Sequence, residues 1–213
     1  ATPPVRVFTA LMTDADGALL AAQSITTKIA VMRHPTGIGY LLLFGTGRYL
    51  SAADKDDIDV QSFYAIWDDR GVAFSDGNGG YVAPARADLL AQSFGSEDTV
   101  TNADNTVVTS LGRTSSNHRI DWTTHRGWYI DLKLAGGDDE GERVVVDPEL
   151  NGNRVVFVSM IPEQCCDSGG LSWINALDAK DGSRLAVTPF DYNDDGSFNA
   201  SDTLTTVGGD EVP

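Results

Sequence analysis

The chain has 213 residues and carries 31 acidic against 15 basic residues, for a formal net charge of −16. This balance argues against nucleic acids and anionic membrane surfaces as partners, because both are bound by basic patches. No apolar run approaches the ~20 residues of a membrane-spanning helix. The length suits a single domain, and the linker-like Ala1–Pro4 leads us to expect one portion, 1–213, of a longer protein.

Short runs rich in Val, Ile, Phe and Tyr alternate along the chain with clusters of Gly, Asp and Asn. Such runs predict β-strands joined by turns. Strands are predicted at 40–44, 62–67, 128–132, 143–146 and 154–159, and turns at 16–17, 76–79, 151–152 and 181–182. A short helix is predicted over 87–94 alone.

The segment 62–68 has an echo at 172–178. Each copy ends in Asp before a turn and follows a strongly apolar strand, at 40–44 or 154–160. A repeated strand–loop–strand unit indicates four-stranded blades, and 176–182 is similar to a turn of quinoprotein-type propellers. We therefore predict an all-β fold that forms part of a modified β-propeller with about four blades. A generic antiparallel meander is the alternative.

Residues 191–202 have the spacing of a twelve-residue calcium loop, with oxygen-bearing side chains at positions 1, 3, 5, 9 and 12 and glycine at position 6. Calcium takes six to eight hard oxygen ligands, which alternate residues of a loop can present inward. Asp at position 12 resembles dockerin-type rather than calmodulin-type loops. The predicted ligands are Asp191, Asn193, Asp195, the carbonyl of Ser197, Asn199 directly or through water, and Asp202.

The segment before this loop, 184–190, is predicted to be a strand, so we expect a calcium loop on a β framework rather than a helix–loop–helix hand. An Asp- and Asn-rich turn without an ion is the alternative.

A second acidic cluster consists of Asp54, Asp56, Asp57 and Asp59. It lacks the glycine and the spacing of a calcium loop. We interpret it as a solvated loop, with a second metal site as the alternative.

The two cysteines, Cys165 and Cys166, are adjacent. A bridge between them would be a strained vicinal ring, because neighbouring Cα atoms lie only ~3.8 Å apart. Free thiols and a partner outside the chain remain open.

Catalytic motifs are incomplete. The run 167–170 is similar to the nucleophile segment of chymotrypsin-like proteases, but no histidine has the sequence setting that such a triad needs. The run 45–48 lacks the further glycines or the Gly-Lys pair of nucleotide-binding loops. We predict that the chain is not an enzyme.

Several of these segments, taken in order, resemble the PilC/PilY tip-associated factors of type IV pili. The matching segments are 38–50, 61–68, 126–132, 141–148, 170–173 and the loop 191–202. The resemblance implies the C-terminal propeller region of a large exported protein, with the family's calcium loop on Asp191, Asn193, Asp195 and Asp202. The adjacent cysteine pair departs from the single cysteine expected there.

The resemblance also implies a role in pilus assembly, control of retraction, twitching motility and surface attachment. Implied partners are minor pilins or other pilus-tip components, and host or abiotic surfaces. The implied location is the periplasm, outer membrane, pilus tip or cell surface of a Gram-negative-type bacterium. Two alternatives are a calcium-dependent quinoprotein-like propeller enzyme and an adhesin in which calcium is purely structural.

Overall fold

The computed structural model describes residues 5–13, 18–72, 74, 77, 80–101, 107–162, 170–192, 195–199, 201–205 and 209–213, with the backbone alone for 98–101 and 107–111. The predicted turn at 16–17, most of the turn at 76–79 and both cysteines, Cys165 and Cys166, lie outside these residues. The described part consists of strands, turns and two short 3-10 helices, so the all-β prediction is confirmed.

The strands are β1 (Leu11–Thr13), β2 (Leu19–Ala22), β3 (Ala30–Arg33), β4 (Tyr40–Gly45), β5 (Ser62–Asp68), β6 (Leu90–Thr101), β7 (Val107–Ser115), β8 (Gly127–Leu134), β9 (Glu149–Asn151), β10 (Arg154–Ile161), β11 (Leu171–Asp178), β12 (Leu204–Thr205) and β13 (Glu211–Val212). The 3-10 helices are Ala52–Asp56 and Arg86–Asp88. The described strands are divided unevenly among sheets of six, three, two and two strands.

The largest sheet has the strand order β3-β4-β5-β8-β6-β7, and its strands are antiparallel except for the parallel pair β6 and β8. The helix predicted over 87–94 is wrong, because Arg86–Asp88 forms one 3-10 turn and β6 begins at Leu90. Pairing with β8 favours an extended conformation over the local helical spacing. In this extended strand Gln92 and Phe94 are both buried.

The second sheet has the order β9-β10-β11 and reproduces the predicted echo. Arg154 lies opposite Asp178 in the antiparallel pair β10–β11, and Tyr40 lies opposite Asp68 in the antiparallel pair β4–β5. Each of these aspartates accepts a backbone N–H from the second residue after it. The two copies of the echo are therefore the same strand pair closed by the same kind of turn.

Residues 143–146 connect the two sheets and do not form the predicted strand. Arg143 and Met160 exchange both backbone hydrogen bonds, at 2.9 and 2.8 Å, while Val144 N–H donates to a carbonyl just beyond β4. Consecutive residues therefore pair with different sheets, and neither sheet gains a strand. Val144 fits closely against Gly45, where a Cβ would overlap its side chain.

The main core lies between the two sheets and contains a group of aromatic rings. Phe63 on β5 stacks on Phe157 on β10 with ring centroids 4.0 Å apart, and it lies 5.9 Å from Trp128 on β8. Trp128 is fully buried, and its Nε1 donates to the Ala179 carbonyl at 3.2 Å. Gly182, at φ +71°, packs against the same indole, so Trp128 also fixes the turn that follows β11.

A second aromatic cluster encloses His34. Its ring stacks on Trp67 with centroids 3.9 Å apart, and Trp122 meets it edge-on at 4.1 Å. Nδ1 lies 2.7 Å from Thr36 Oγ1, while Nε2 is buried without a hydrogen-bond partner in the described part of the chain. Burial lowers the pKa of His34 to about 4, because the imidazolium would lose its hydration there.

We expect Gly182→Ala to lower the free energy of unfolding by about 2–4 kcal/mol, because the new Cβ would both overlap Trp128 and occupy the left-handed region. Gly152→Ala is the matched control, since Gly152 also has positive φ (+61°) but no atom within 4 Å of a Cβ. We expect that control to cost about 1 kcal/mol. Urea unfolding measures both, and equal losses would contradict the packing role of Gly182.

We expect acid to destabilise the fold through His34. The unfolded chain binds a proton at His34 near pH 6.5 and the folded chain only near about pH 4, so stability falls as the pH drops between these values. The loss should reach about 2–3 kcal/mol. In urea titrations over this range, His34→Phe should flatten the pH dependence while the exposed His118→Gln should not. An unchanged slope in His34→Phe would refute the assignment.

Candidate metal centre

The loop 191–202 is reached through an irregular segment and not through the predicted strand. Residues 184–190 form no strand, because Pro189 has no N–H to donate and the chain turns where Thr188 Oγ1 accepts the Phe190 N–H at 3.1 Å. The loop then leads into β12.

The first half of the loop is organised by the carboxylate of Asp191. Its Oδ2 accepts the Gly196 N–H at 2.8 Å, and its Oδ1 accepts the Asp195 N–H at 3.1 Å. Gly196 has φ +80°, a conformation that favours glycine. The predicted roles of Asp191 at position 1 and of glycine at position 6 are thus linked, because the sharp turn brings the Gly196 N–H to that carboxylate.

The second half of the loop is closed by Asp202, which is fully buried. Its Oδ1 accepts the Tyr192 N–H at 2.9 Å, and its Oδ2 accepts the Asn199 N–H at 2.8 Å. Burial, with a smaller contribution from Asp202, raises the pKa of Tyr192. The carboxylate at position 12 therefore ties the beginning of the loop to its last turn.

The remaining predicted ligands lie at the surface. Asp195 Oδ1 accepts the Ser197 N–H at 2.8 Å, and Asn199 Oδ1 accepts the Ser201 N–H at 2.9 Å. Asn193 lies outside the described residues. Among the residues that are described, no three His, Cys, Asp or Glu side chains converge closely enough to form a metal-binding group.

The donor set nevertheless fits calcium in its chemistry. It offers three carboxylates and an amide oxygen in the described part, all hard oxygen donors, on a loop with the sharp glycine turn that calcium loops need. Each carboxylate that accepts backbone N–H groups keeps further lone pairs, since its two oxygens have about four acceptor sites.

The second acidic cluster differs from the solvated loop that its sequence indicates. Asp54 is buried, where it accepts hydrogen bonds from Arg48 Nε and from the Leu50 and Ser51 N–H groups, each at 2.8 Å. These hydrogen bonds, those from the backbone above all, lower the pKa of Asp54 to about 2. Asp54 therefore organises a 3-10 turn, and the other three acidic residues are half-buried or exposed.

A groove of about 610 Å³ lies beside the loop and along β11. Asp191, Tyr192 and Phe198 of the loop line one part of it, and Ile174 of β11 lines another. This groove was not predictable from the sequence, because its lining comes from segments far apart in the chain. The available signal was Ile174 itself, an apolar residue at an exposed position of the echo strand.

A buried ion pair borders the same groove. Arg113 on β7 lies 2.7 Å from Glu142, and both side chains are almost fully buried. Arg113 also donates to Asn175 Oδ1 on β11 at 2.7 Å and stacks over the rings of Phe94 and Trp173. This group was not predictable from the sequence either, since nothing in the spacing of Arg113, Glu142 and Asn175 indicates that they meet.

Comparison with known proteins connects this fold to one family. A family profile described as "PilY1 beta-propeller domain" matches residues 6–106. The "Type IV pilus biogenesis factor PilY1 homolog" of Xylella fastidiosa (strain Temecula1 / ATCC 700964) is 35% identical over 195 residues, covering 90% of this chain and 12% of the relative. The "Type IV pilus biogenesis factor PilY1" of Pseudomonas aeruginosa PAO1 is 31% identical over 182 residues, covering 80% of this chain and 15% of the relative.

A solved structure supports the same family assignment. The crystal structure of the Pseudomonas aeruginosa PilY1 C-terminal domain matches with a TM-score of 0.77 at 27% identity, over 96% of this chain and 40% of that one. The fold is thus that of a β-propeller domain from a pilus protein. The chain belongs to the PilY1 family, so the resemblance to the PilC/PilY factors is confirmed. It spans 12% to 15% of the length of the two curated relatives.

No helix in the described part of the chain is long and apolar enough to cross a membrane.

We expect Asp202→Ala to lower the free energy of unfolding by about 2 kcal/mol in chelator, because it removes two hydrogen bonds from a buried carboxylate and opens the loop. Asp195→Ala, at an exposed position, should stay within about 0.5 kcal/mol of the wild type. Urea unfolding in EDTA compares them without any contribution from a bound ion. Equal stability of the two variants would show that Asp202 does not close the loop.

Proposed function

We propose that this protein is a calcium-binding propeller domain of a type IV pilus biogenesis factor and that it acts by binding other pilus components rather than by catalysis. The observation that supports this proposal most strongly is the similarity to a protein named as a type IV pilus biogenesis factor, at 35% identity over 90% of the chain. The solved domain of a second such factor supports the same assignment of fold.

Calcium is the ion that the loop chemistry favours. Asp191, Asn193 and Asp195 would supply side-chain oxygens and Ser197 a carbonyl. Asn199 would bind directly or through water, and Asp202 would close the cage. Bound calcium would neutralise the loop carboxylates and restrain the loop, so occupancy and local rigidity are linked. The short closing Asp favours an affinity between about micromolar and millimolar.

The ion would act on a surface rather than on a reaction. The loop forms a wall of the groove along β11, so calcium occupancy would set the shape of a surface that partners can reach. We propose minor pilins or other pilus-tip components as those partners, with host or abiotic surfaces contacted during attachment. This role fits an exported protein at the pilus tip or cell surface. The processes in which it would act are pilus assembly, control of retraction and twitching motility.

Two other functions are distinguished by specific outcomes. A calcium-dependent quinoprotein-like enzyme would carry a chromophore in a pocket of converging charged groups, whereas Arg113, the buried cation that borders the groove, is already paired with Glu142. An adhesin with structural calcium would lose attachment when the loop is disabled, yet keep its pilus number and retraction.

We expect Asp195→Ala to weaken calcium binding by at least about tenfold, because it removes a charged ligand from the loop. Isothermal titration of chelator-treated protein measures the affinity. Asp56→Ala is the control, since it removes an exposed acidic residue outside the loop and should bind calcium as the wild type does.

Absence of calcium binding in the wild-type protein, or equal binding by Asp195→Ala, would overturn the calcium assignment. In cells that carry Asp195→Ala, altered pilus number or retraction would support the regulatory role. Loss of attachment alone would favour the structural-calcium adhesin, and an absorbing cofactor in the purified protein would favour the enzyme.

A further inference from the structure

The outer edge of β11 has no strand paired to it among the residues that the structure describes. In the described part of the chain β11 pairs with β10 alone, and Asp178 N–H turns away from β10 to donate to the Ser183 carbonyl at 2.9 Å. Because alternate residues of a strand direct their backbone groups to the same side, those of Ser172, Ile174 and Ala176 also face away from β10. β11 thus offers a row of N–H and C=O groups at the spacing of a β-strand.

The groove follows this row of backbone groups. It has a volume of about 610 Å³, and Ile174, 61% exposed, stands in it. Its walls are both polar and apolar. The apolar side chains come from β11, from the segment before the loop and from the loop itself: Leu171, Trp173, Leu185, Pro189, Phe190 and Phe198. An occupant would therefore meet backbone hydrogen-bonding groups along one side and apolar side chains between polar ones around them, which suits strand addition.

Arg184 places a positive charge at one end of the groove. Arg184 follows Ser183, whose carbonyl receives the Asp178 N–H, so it lies where β11 ends. Arg184 is half-buried and forms no ion pair in the described part of the chain, whereas Arg113 is neutralised by Glu142. In a protein of net charge −16, such a guanidinium in a groove favours a carboxylate.

We propose that the groove binds an extended peptide segment of another protein, which adds as a strand to the outer edge of β11 and places a carboxylate against Arg184. The carboxylate is that of an Asp side chain, a Glu side chain or the C-terminus of the bound segment. A second copy of this protein fits less well, because two surfaces of a strongly acidic protein would repel each other. The inference rests on the partner-binding role proposed for this groove but does not require calcium, so the peptide titration and the calcium titration can fail separately.

The probe is a phage-displayed library of random peptides of about twelve residues, long enough to cover the edge at ~3.3 Å per residue. The library is selected against the 213-residue chain, and the best binder is synthesised with a fluorophore for anisotropy titration. We expect apolar residues at alternate positions and at least one carboxylate. Two versions of the selected peptide are then N-methylated, one at the odd and one at the even amides. Because only one set of amides would face β11, one version should bind about tenfold or more weaker and the other should change little.

Two substitutions in β11 separate backbone from side-chain recognition. Ile174→Pro removes an N–H that β10 does not use, so it should weaken peptide binding about tenfold or more while the urea midpoint stays near that of the wild type. Ile174→Thr keeps the N–H and should stay within about threefold. Arg184→Gln should weaken binding about fivefold or more, and Arg184→Lys should lose less.

The proposal is wrong if no peptide is enriched above background, or if the selected peptide binds Ile174→Pro as tightly as the wild type. Should Ile174→Pro unfold, the N-methylated peptides and Arg184→Gln still decide the question, and insensitivity to both would reject strand addition. A concentration-dependent dimer of the wild type that Ile174→Pro abolishes would assign the edge to a second copy and would also overturn the proposal.

Discussion

The packing of Phe63, Trp128 and Phe157 between the two sheets is the constraint on which the rest of the structure depends. Burying one aromatic side chain stabilises a fold by about 1.5–3 kcal/mol, and favourable ring geometry adds about 0.5–1.5 kcal/mol per pair. Here the rings come from β5, β8 and β10, so their contact fixes the position of the three-stranded sheet. The turn after β11 is held in place by Trp128, whose Nε1 donates to the Ala179 carbonyl.

The segment that connects the two sheets contains two buried charged residues, Glu142 and Arg143, and their partners fix its register. Arg143 is buried and donates to backbone carbonyls, including those of Arg48 and Asp54 at 2.9 and 2.7 Å, while burial lowers its pKa. Its neighbour Glu142 is buried against Arg113. A shift of this segment by one residue would leave two buried charges without partners, which costs several kcal/mol per ion. The buried Glu142 and Arg143 therefore contribute more to selecting one alignment of the two sheets than to the free energy of unfolding.

The fold was predictable wherever a single strand carries its own pattern. The strands at 40–44, 62–67, 128–132 and 154–159 and the echo were predicted from alternation and turns alone. The failures at 87–94 and 143–146 share one cause, since partners distant in sequence decided each conformation. The failure at 184–190 is local, because Pro189 and the turn at Thr188 interrupt the segment. The calcium loop at 191–202 was predicted from local spacing and stays a prediction. In the structure Asp191, Asp195 and Asp202 use carboxylate oxygens on backbone N–H groups. The groove was hidden because its walls meet only after folding.

The loop and the groove share side chains, so they cannot be independent surfaces. Tyr192 donates its N–H to the buried Asp202 and at the same time lines the groove, and Phe198 extends from the same loop into the groove. A ligand that holds the loop closed must therefore also fix part of the groove wall. Thermodynamic linkage would make the relation reciprocal: an occupant of the groove that prefers the closed wall would raise the affinity of the loop for the proposed calcium ion by the same factor. Asp202 contacts Tyr192, and Tyr192 lines the groove, so this coupling would pass through direct contacts. It would need no conformational change elsewhere in the fold.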